Sequence, residues 1–198
     1  MRQGTWTVWW VMPDLSSNSR RTLLSLARLA LQSHWEGGGA EKENVSSLAG
    51  RSPELLMKRG CFVTLKEHGA LRGCIGTFQA DKPLFENVMR MAVSAGFQDP
   101  RFPPLSRGEL EQVHIEISVL GDLRKMNSME ELEMGRHGVW IQCGLKSGTF
   151  LPEVATEQGW SREEFIRRCA AEKAGLNAEE FSHAEISLYE VTKIKEGE

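Results

Sequence analysis

Apolar positions return at helical spacing early in the chain. After the polar stretch Ser16 to Arg20, residues Leu23, Leu24, Ala27, Ala30 and Leu31 share one face until Gly37 breaks the pattern. This predicts a first amphipathic helix. Glu36 to Arg51, rich in Gly, Glu, Ser and Asn and without periodicity, predicts a mobile loop. The period then shortens: Cys61 to Lys66 and Leu71 to Phe78 read as two strands of a hairpin around Glu67-His-Gly-Ala70. Pro83 opens a second helix, with Leu84, Val88, Met89 and Ala92 on one face and an end near Gly96. From Val113 to Leu120, Val113, Ile115, Ile117 and Val119 point one way, and His114, Glu116 and Ser118 point the other.

The order then repeats. Gly138 to Cys143 and Gly148 to Leu151 flank the turn Gly144-Leu-Lys-Ser147, and Ser161 starts another helix that presents Phe165, Ile166, Cys169 and Ala170 before Gly175 stops it. Ser161 with Glu164 occupies capping-box positions, and Trp160 with Phe165 the hydrophobic-staple positions. His183-Ala-Glu-Ile-Ser187 echoes His114-Ile-Glu-Ile-Ser118. Two hairpin, helix and strand units predict an α+β fold, an antiparallel sheet with helices laid on it, produced by an internal duplication. Residues 17–125 and 126–198 are its approximate lobes, with Val113 to Leu120 and Glu185 to Val191 in equivalent positions. The seam between such halves is a natural place for a cleft.

Composition removes several function classes. Across 198 residues, 24 Lys and Arg against 27 Asp and Glu leave a net charge of -3, with neither sign gathered into a block, so nucleic acid is not an expected partner. No apolar run approaches the roughly 20 residues of a membrane-spanning helix, so no membrane is expected either. The opening Met1 to Met12 is apolar but makes a poor secretory signal, and residues 1–16 are expected to be a flexible extension or a misassigned start. Cys61, Cys74, Cys143 and Cys169 are scattered without a C-x-x-C pair, which fits free thiols in a cytoplasmic protein.

The first hairpin carries the most chemistry. If it closes with Glu67 opposite Ala70, regular pairing puts Val63 opposite Cys74, Leu65 opposite Arg72 and Cys61 opposite Gly76, so Cys61, Arg72 and Cys74 share a face. Cys61 and Cys74 are then diagonal neighbours about 7–8 Å apart, near or beyond the limit for a disulfide, so two free thiols are expected. Arg72 lies roughly 6–7 Å from Cys74 on the same side of its strand, where a guanidinium favours the thiolate. Cys74 is thus a candidate nucleophile, against the plainer reading of a small core residue beside a salt-bridged arginine. Gly73 and Gly76 leave room for a ligand or another segment to approach the backbone. Asp99 and Arg101, in the proline-rich loop after Gly96, either cap turns and pair with each other or contact a ligand. Glu116 and Ser118, with His114, offer acid, nucleophile and base, but their alternation equally describes a solvated strand face. His137 is a candidate acid, base or ligand, or a hydrogen-bonded turn residue. Metal binding by Cys74 with His137 and Cys61 has no ligand cluster at a recognised spacing behind it, and no cofactor motif is present.

Arg59-Gly-Cys-Phe-Val-Thr-Leu65, Leu71-Arg-Gly-Cys-Ile-Gly-Thr-Phe78, Asp99-Pro-Arg-Phe-Pro-Pro-Leu105, Ile115-Glu-Ile-Ser-Val-Leu120, Gly135-Arg-His-Gly138 and Leu151-Pro-Glu-Val-Ala155 stand in the order of the AMMECR domain, called AmmeMemoRadiSam system protein A in bacteria. From about Ser17 onward the chain resembles that family. The resemblance implies a partly barrel-like antiparallel sheet, a larger and a smaller lobe around a groove, and Arg72, Cys74, Asp99, Arg101, Glu116, Ser118 and His137 near that groove. It also implies association with a Memo-like and a radical-SAM protein, and supplies no activity. Two positions depart from the family pattern: Glu153, where glutamine is common, and Gly96, where alanine is common. The expectation is a thiol-dependent enzyme or ligand-handling protein, with Cys74 in the groove and Arg72 or Arg101 on an anionic group. The alternative is a non-catalytic module that docks onto those two proteins.

Overall fold

A computed structural model describes residues 15–36, 45, 49–50, 52–78 and 80–197. Most of the expected N-terminal extension and of the loop between Glu36 and Arg51 lies outside the described residues. Helix α1, Ser17–Ser33, starts where Ser16 accepts a hydrogen bond from the Ser19 amide, satisfying one of the donors a first turn leaves unpaired. A short helix, α2, spans Pro53–Leu56. Strands β1, Cys61–Glu67, and β2, Ala70–Thr77, form the first hairpin. Its tip places both His68 and Gly69 at positive φ (50° and 83°), the left-handed pair that a two-residue hairpin turn requires. Helix α3, Leu84–Phe97, and strand β3, Val113–Leu120, complete the first half.

Strand β4, Arg124–Lys125, precedes the second hairpin of β5, His137–Cys143, and β6, Lys146–Phe150. Helix α4, Pro152–Gln158, ends at Gly159 in the left-handed region (φ 66°), where glycine carries no Cβ penalty. Helix α5, Arg162–Arg168, continues without interruption into a π-helical turn, Cys169–Lys173, so the helix expected from Ser161 to Gly175 is present with its C-terminal part in the wider π form. Its cap is also simpler than expected. Ser161 accepts from the Glu164 amide, but the Glu164 carboxylate accepts from Arg168 instead of returning to the cap. The reciprocal capping box belongs to Asn177 and Glu180, at the start of α6, Ala178–Ser182. Strand β7, Glu185–Lys195, closes the chain.

The strands form one antiparallel sheet in the order β2-β1-β3-β7-β5-β6, with β4 on β7. In each half the strand after the helix pairs with the first strand of its own hairpin, β3 with β1 and β7 with β5. The expected duplication is not established by this order. Strand β7 divides its length, pairing with β5 through Glu190 and with β3 from Val191 onward, whereas β3 pairs with β1 from Val113 to Val119 and, over an overlapping stretch, with β7 from Glu116 to Leu120.

Pairing assigns the faces. Ile117 stands opposite Ile194, and Val139 opposite Leu188. Ile117 and Ile194 belong to a hydrophobic cluster with α1 and α3, and Val139 and Leu188 to a second cluster with α4 and α5. Residues two apart on a strand share a face, so both clusters cover the same side of the sheet. The other side is curled inward. Phe78, just beyond β2, reaches across it to Trp140 (ring centroids 4.5 Å apart) and Tyr189 (5.1 Å) in the second half. The result is an α+β half-barrel with helices outside and a concave inner face.

Candidate functional site

The concave face carries the polar side chains that pairing brings into rows. Cys74 stands opposite Thr64, Thr64 opposite Glu116, and Glu116 opposite Lys195, one residue from each of four adjacent strands. The next row runs Gly76, Phe62, Ser118, Lys193. Gly76 is required there: a Cβ would lie 2.2 Å from the Phe62 ring, which covers that position.

The expected hairpin register fails by one residue. Glu67 does oppose Ala70, but a bulge between Leu65 and Lys66 leaves Leu65 opposite Gly73, Val63 opposite Ile75 and Cys61 opposite Thr77. Cys61 and Cys74 therefore lie on opposite faces of the sheet. Cys61 is fully buried among the helices, and burial pushes its thiol up to about 12. Gly73 also faces the helices, where a Cβ would meet the Ala95 carbonyl oxygen at 2.2 Å. Arg72 is buried at the bulge and donates through Nε to Glu109 Oε1 at 2.7 Å. Its Nη1 and Nη2 are buried without a hydrogen-bond partner. Arg72 thus serves Glu109, and it is Arg101 whose charge acts on Cys74.

Cys74 is half-buried, and its Sγ accepts a hydrogen bond from the Thr64 hydroxyl at 3.2 Å. Burial raises the thiol above its ordinary value, and the Thr64 bond and the Arg101 charge only partly oppose this. The thiol is neutral near pH 7, contrary to the expected thiolate. Beside it, Asp99 Oδ2 accepts the Cys74 amide at 2.8 Å, while Arg101 donates to both Asp99 oxygens and, through Nη2, to the Cys74 carbonyl at 3.0 Å. The Arg101 bonds hold the Asp99 carboxyl far below the usual carboxylate range. Both readings of this loop meet here, since the pair binds itself and also grips the strand that bears the thiol.

Glu116 and Ser118 are buried, so this is no ordinary solvated strand face; His114 is exposed. Glu116 is shared between two ammonium groups, Lys66 Nζ at 2.9 Å and Lys193 Nζ at 3.5 Å, and Lys193 also contacts Glu153 Oε1 at 2.8 Å. Burial alone would raise the Glu116 pKa, but Lys66 and Lys193 outweigh it and hold the group ionised. Burial likewise opposes charge on Lys193, and Glu153 and Glu116 overcome it. Glu153 comes from the first turn of α4, and its charge is felt at Cys74. The network therefore joins β1, β3 and β7 to the first turn of α4.

His137 is not part of this constellation. Alternation from Val139 and Ile141 puts it on the helix-covered face, where its Nδ1 accepts the Glu133 amide at 3.1 Å. Burial lowers its pKa, keeping it neutral. No group of three or more His, Cys, Asp or Glu suited to a metal ion occurs among the described residues. Sequence reasoning missed Thr64, Lys66, Glu153 and Lys193. The signals were present in the alternation of Phe62-Val-Thr-Leu-Lys66 and Thr192-Lys-Ile-Lys195, and in the departure at Glu153.

The fold and site define an α+β protein built on an open, inwardly curled antiparallel sheet, with a thiol and an ion-pair network on the side its helices leave bare. Residues 24–194 match the family model described as AMMECR1, and the chain belongs to that family. It is 38% identical over 176 residues to a protein of the archaeon Methanopyrus kandleri, covering 84% of this chain and 82% of that one. A protein of Methanothermobacter thermautotrophicus is 36% identical over 182 residues, covering 88% and 92%. The crystal structure of an uncharacterised protein from Pyrococcus horikoshii matches with a TM-score of 0.76 at 30% identity, covering 88% of this chain and 90% of that one. Among the described residues, no helix is long and apolar enough to cross a membrane.

Proposed function

We propose that the concave face is a small-molecule site in which Cys74 acts as a neutral thiol, activated only when a bound molecule or its own base removes the proton. The observation that carries this reading is the carboxylate of Glu116, shared between Lys66 and Lys193 on a sheet face that neither hydrophobic cluster covers. Partly buried charges cost desolvation and add little net stability, so such a network beside a half-buried thiol fits a binding role better than a structural one. The test is alkylation of Cys74 in the folded protein, with and without small molecules retained through purification and identified by mass spectrometry. Protection of Cys74 by such a molecule supports the site. A thiol that reacts only on unfolding removes it.

The rival reading, a docking module for Memo-like and radical-SAM partners, draws on a different surface. Leu56, Met57 and Leu123 are exposed, and the ion pair of Arg59 with Asp122 ties together the two segments that bear them. Copurification that survives Cys74→Ala and Glu116→Gln but fails with Leu56→Glu and Leu123→Glu favours docking.

A further inference from the structure

Cys74 is held from two sides. Asp99 accepts its amide and Arg101 donates to its carbonyl, so the backbone that carries the thiol is fixed from the outer edge of the sheet. From the inner side, the Thr64 hydroxyl on β1 meets the sulfur at 3.2 Å. Thr64 has little freedom of its own. It lies on a strand paired on both flanks, with Cys74 and Glu116 as its direct neighbours, and a β-branched side chain is stiff about χ1. Valine has the same outline, so packing alone does not call for a hydroxyl here. What the hydroxyl adds is a proton directed at sulfur. A hydrogen bond to an ionised acceptor is roughly twice as strong as one to a neutral acceptor, so this contact strengthens as the thiol gives up its own proton. The charge of Arg101 acts in the same direction.

We infer that Thr64 is a positioning residue of the concave-face site: it aims the Cys74 sulfur and supports the negative charge that sulfur acquires as it attacks, so the molecule handled there carries an electrophilic carbon. The inference rests on the small-molecule reading above. Thr64 acts through Cys74 and touches the reacting carbon only by way of it. The arrangement accounts for a thiol that is neutral at rest and still able to react, because the donor is in place before the charge develops and needs no rearrangement when it does.

The test follows alkylation of Cys74 by iodoacetamide across pH, in the full chain and in its Thr64 variants. The Cys74 Sγ–C bond forms as the C–I bond breaks, iodide leaves with the electron pair, and the thiol proton passes to solvent. The charged groups around the thiol are the same in every variant: Asp99 and Arg101 from the loop after α3, Glu153 from α4, and, further along the face, Lys66, Glu116 and Lys193. Thr64→Val should slow labelling of Cys74 at neutral pH by about tenfold and move the midpoint of its pH–rate profile upward. Thr64→Ser, which restores the hydroxyl, should recover most of the rate and the original midpoint. Thr64→Ala removes the hydroxyl without placing a second methyl beside the Glu116 network and should match Thr64→Val, so the result does not hang on one variant folding. Cys143, on the second hairpin, should react alike in all of them and serves as the internal reference. An unchanged profile in Thr64→Val and Thr64→Ala, faster labelling in either, or slowing that serine does not recover would overturn the role of Thr64 and leave the small-molecule site standing. Failure of iodoacetamide to label Cys74 in the folded, unsubstituted chain defeats the site itself.

Discussion

The first hairpin places two cysteines on adjacent strands and gives them opposite surroundings. Cys61 faces the helices with Val63, Leu65 and Ile117, and is sealed. Cys74 faces inward with Thr64 and Glu116, and is not. The difference arises because a strand turns successive side chains to opposite faces and a single bulged residue at Arg72 moves Cys74 from one side to the other. One face of the sheet is packed for stability, and the other holds charge that packing would exclude.

This contrast can be pressed from the strong side first. On the helix-covered face, Phe165 is fully buried and stacks with Phe150, so Phe165→Ala should cost about 3–5 kcal/mol by urea unfolding. A loss below about 1 kcal/mol would mean that this face is not close-packed. Cys61→Ser buries a hydroxyl among apolar side chains and should cost about 1–3 kcal/mol, whereas Cys74→Ser, already within reach of the Thr64 hydroxyl, should change stability by less than about 0.5 kcal/mol. Equal costs for the two would erase the distinction between the faces.

Acid should separate the faces further. Hydrogen bonds from Arg72, then from Ser106, lower the Glu109 pKa from 4.5 to about 2. A carboxyl whose folded pKa is depressed contributes stability that is fully present above its unfolded value. That contribution is lost as pH falls from about 4.5 to about 2, and Glu109→Gln should flatten the fall in Tm across this window. A small effect is also expected at Glu116, where exchange for Gln removes one charge from a partly exposed network and should shift stability by about 1 kcal/mol or less. Its rate of Cys74 alkylation is the more informative readout, since a change there without a change in stability separates site from scaffold.

The fold was largely legible because its signals are periodic. The two hairpins, the helices at Leu84 and Ser161, and the alternation of β3 all stand in the pattern of apolar residues. Helix α4 was not legible, being seven residues long with Leu151 at its N-cap position and no capping side chain to announce it. Strand β7 extends past Val191 because Thr192 and Ile194 continue the alternation against β3. For the site, residue types were easier to read than partners. Cys74, Glu116 and Asp99 were visible as candidates, but pairing Arg72 with Cys74 assumed a regular register. The bulge that breaks it lies beside Gly73, whose backbone packs closely against Ala95 of α3, a contact between distant segments that no local motif encodes.

The grip of Asp99 and Arg101 on Cys74 has a consequence for molecules that meet one another. Strand β2 is the outermost strand on its side of the sheet. Such a strand offers its outward amide and carbonyl groups to any passing chain, and exposed edges of this kind template aggregation. Here Asp99 accepts the Cys74 amide and Arg101 donates to the Cys74 carbonyl, the two bonds that a neighbouring strand would make. Two side chains stand in for an eighth strand. Releasing them, as in Asp99→Ala, should leave monomers that fold and then join edge to edge at high concentration, a change that light scattering registers before any loss of secondary structure.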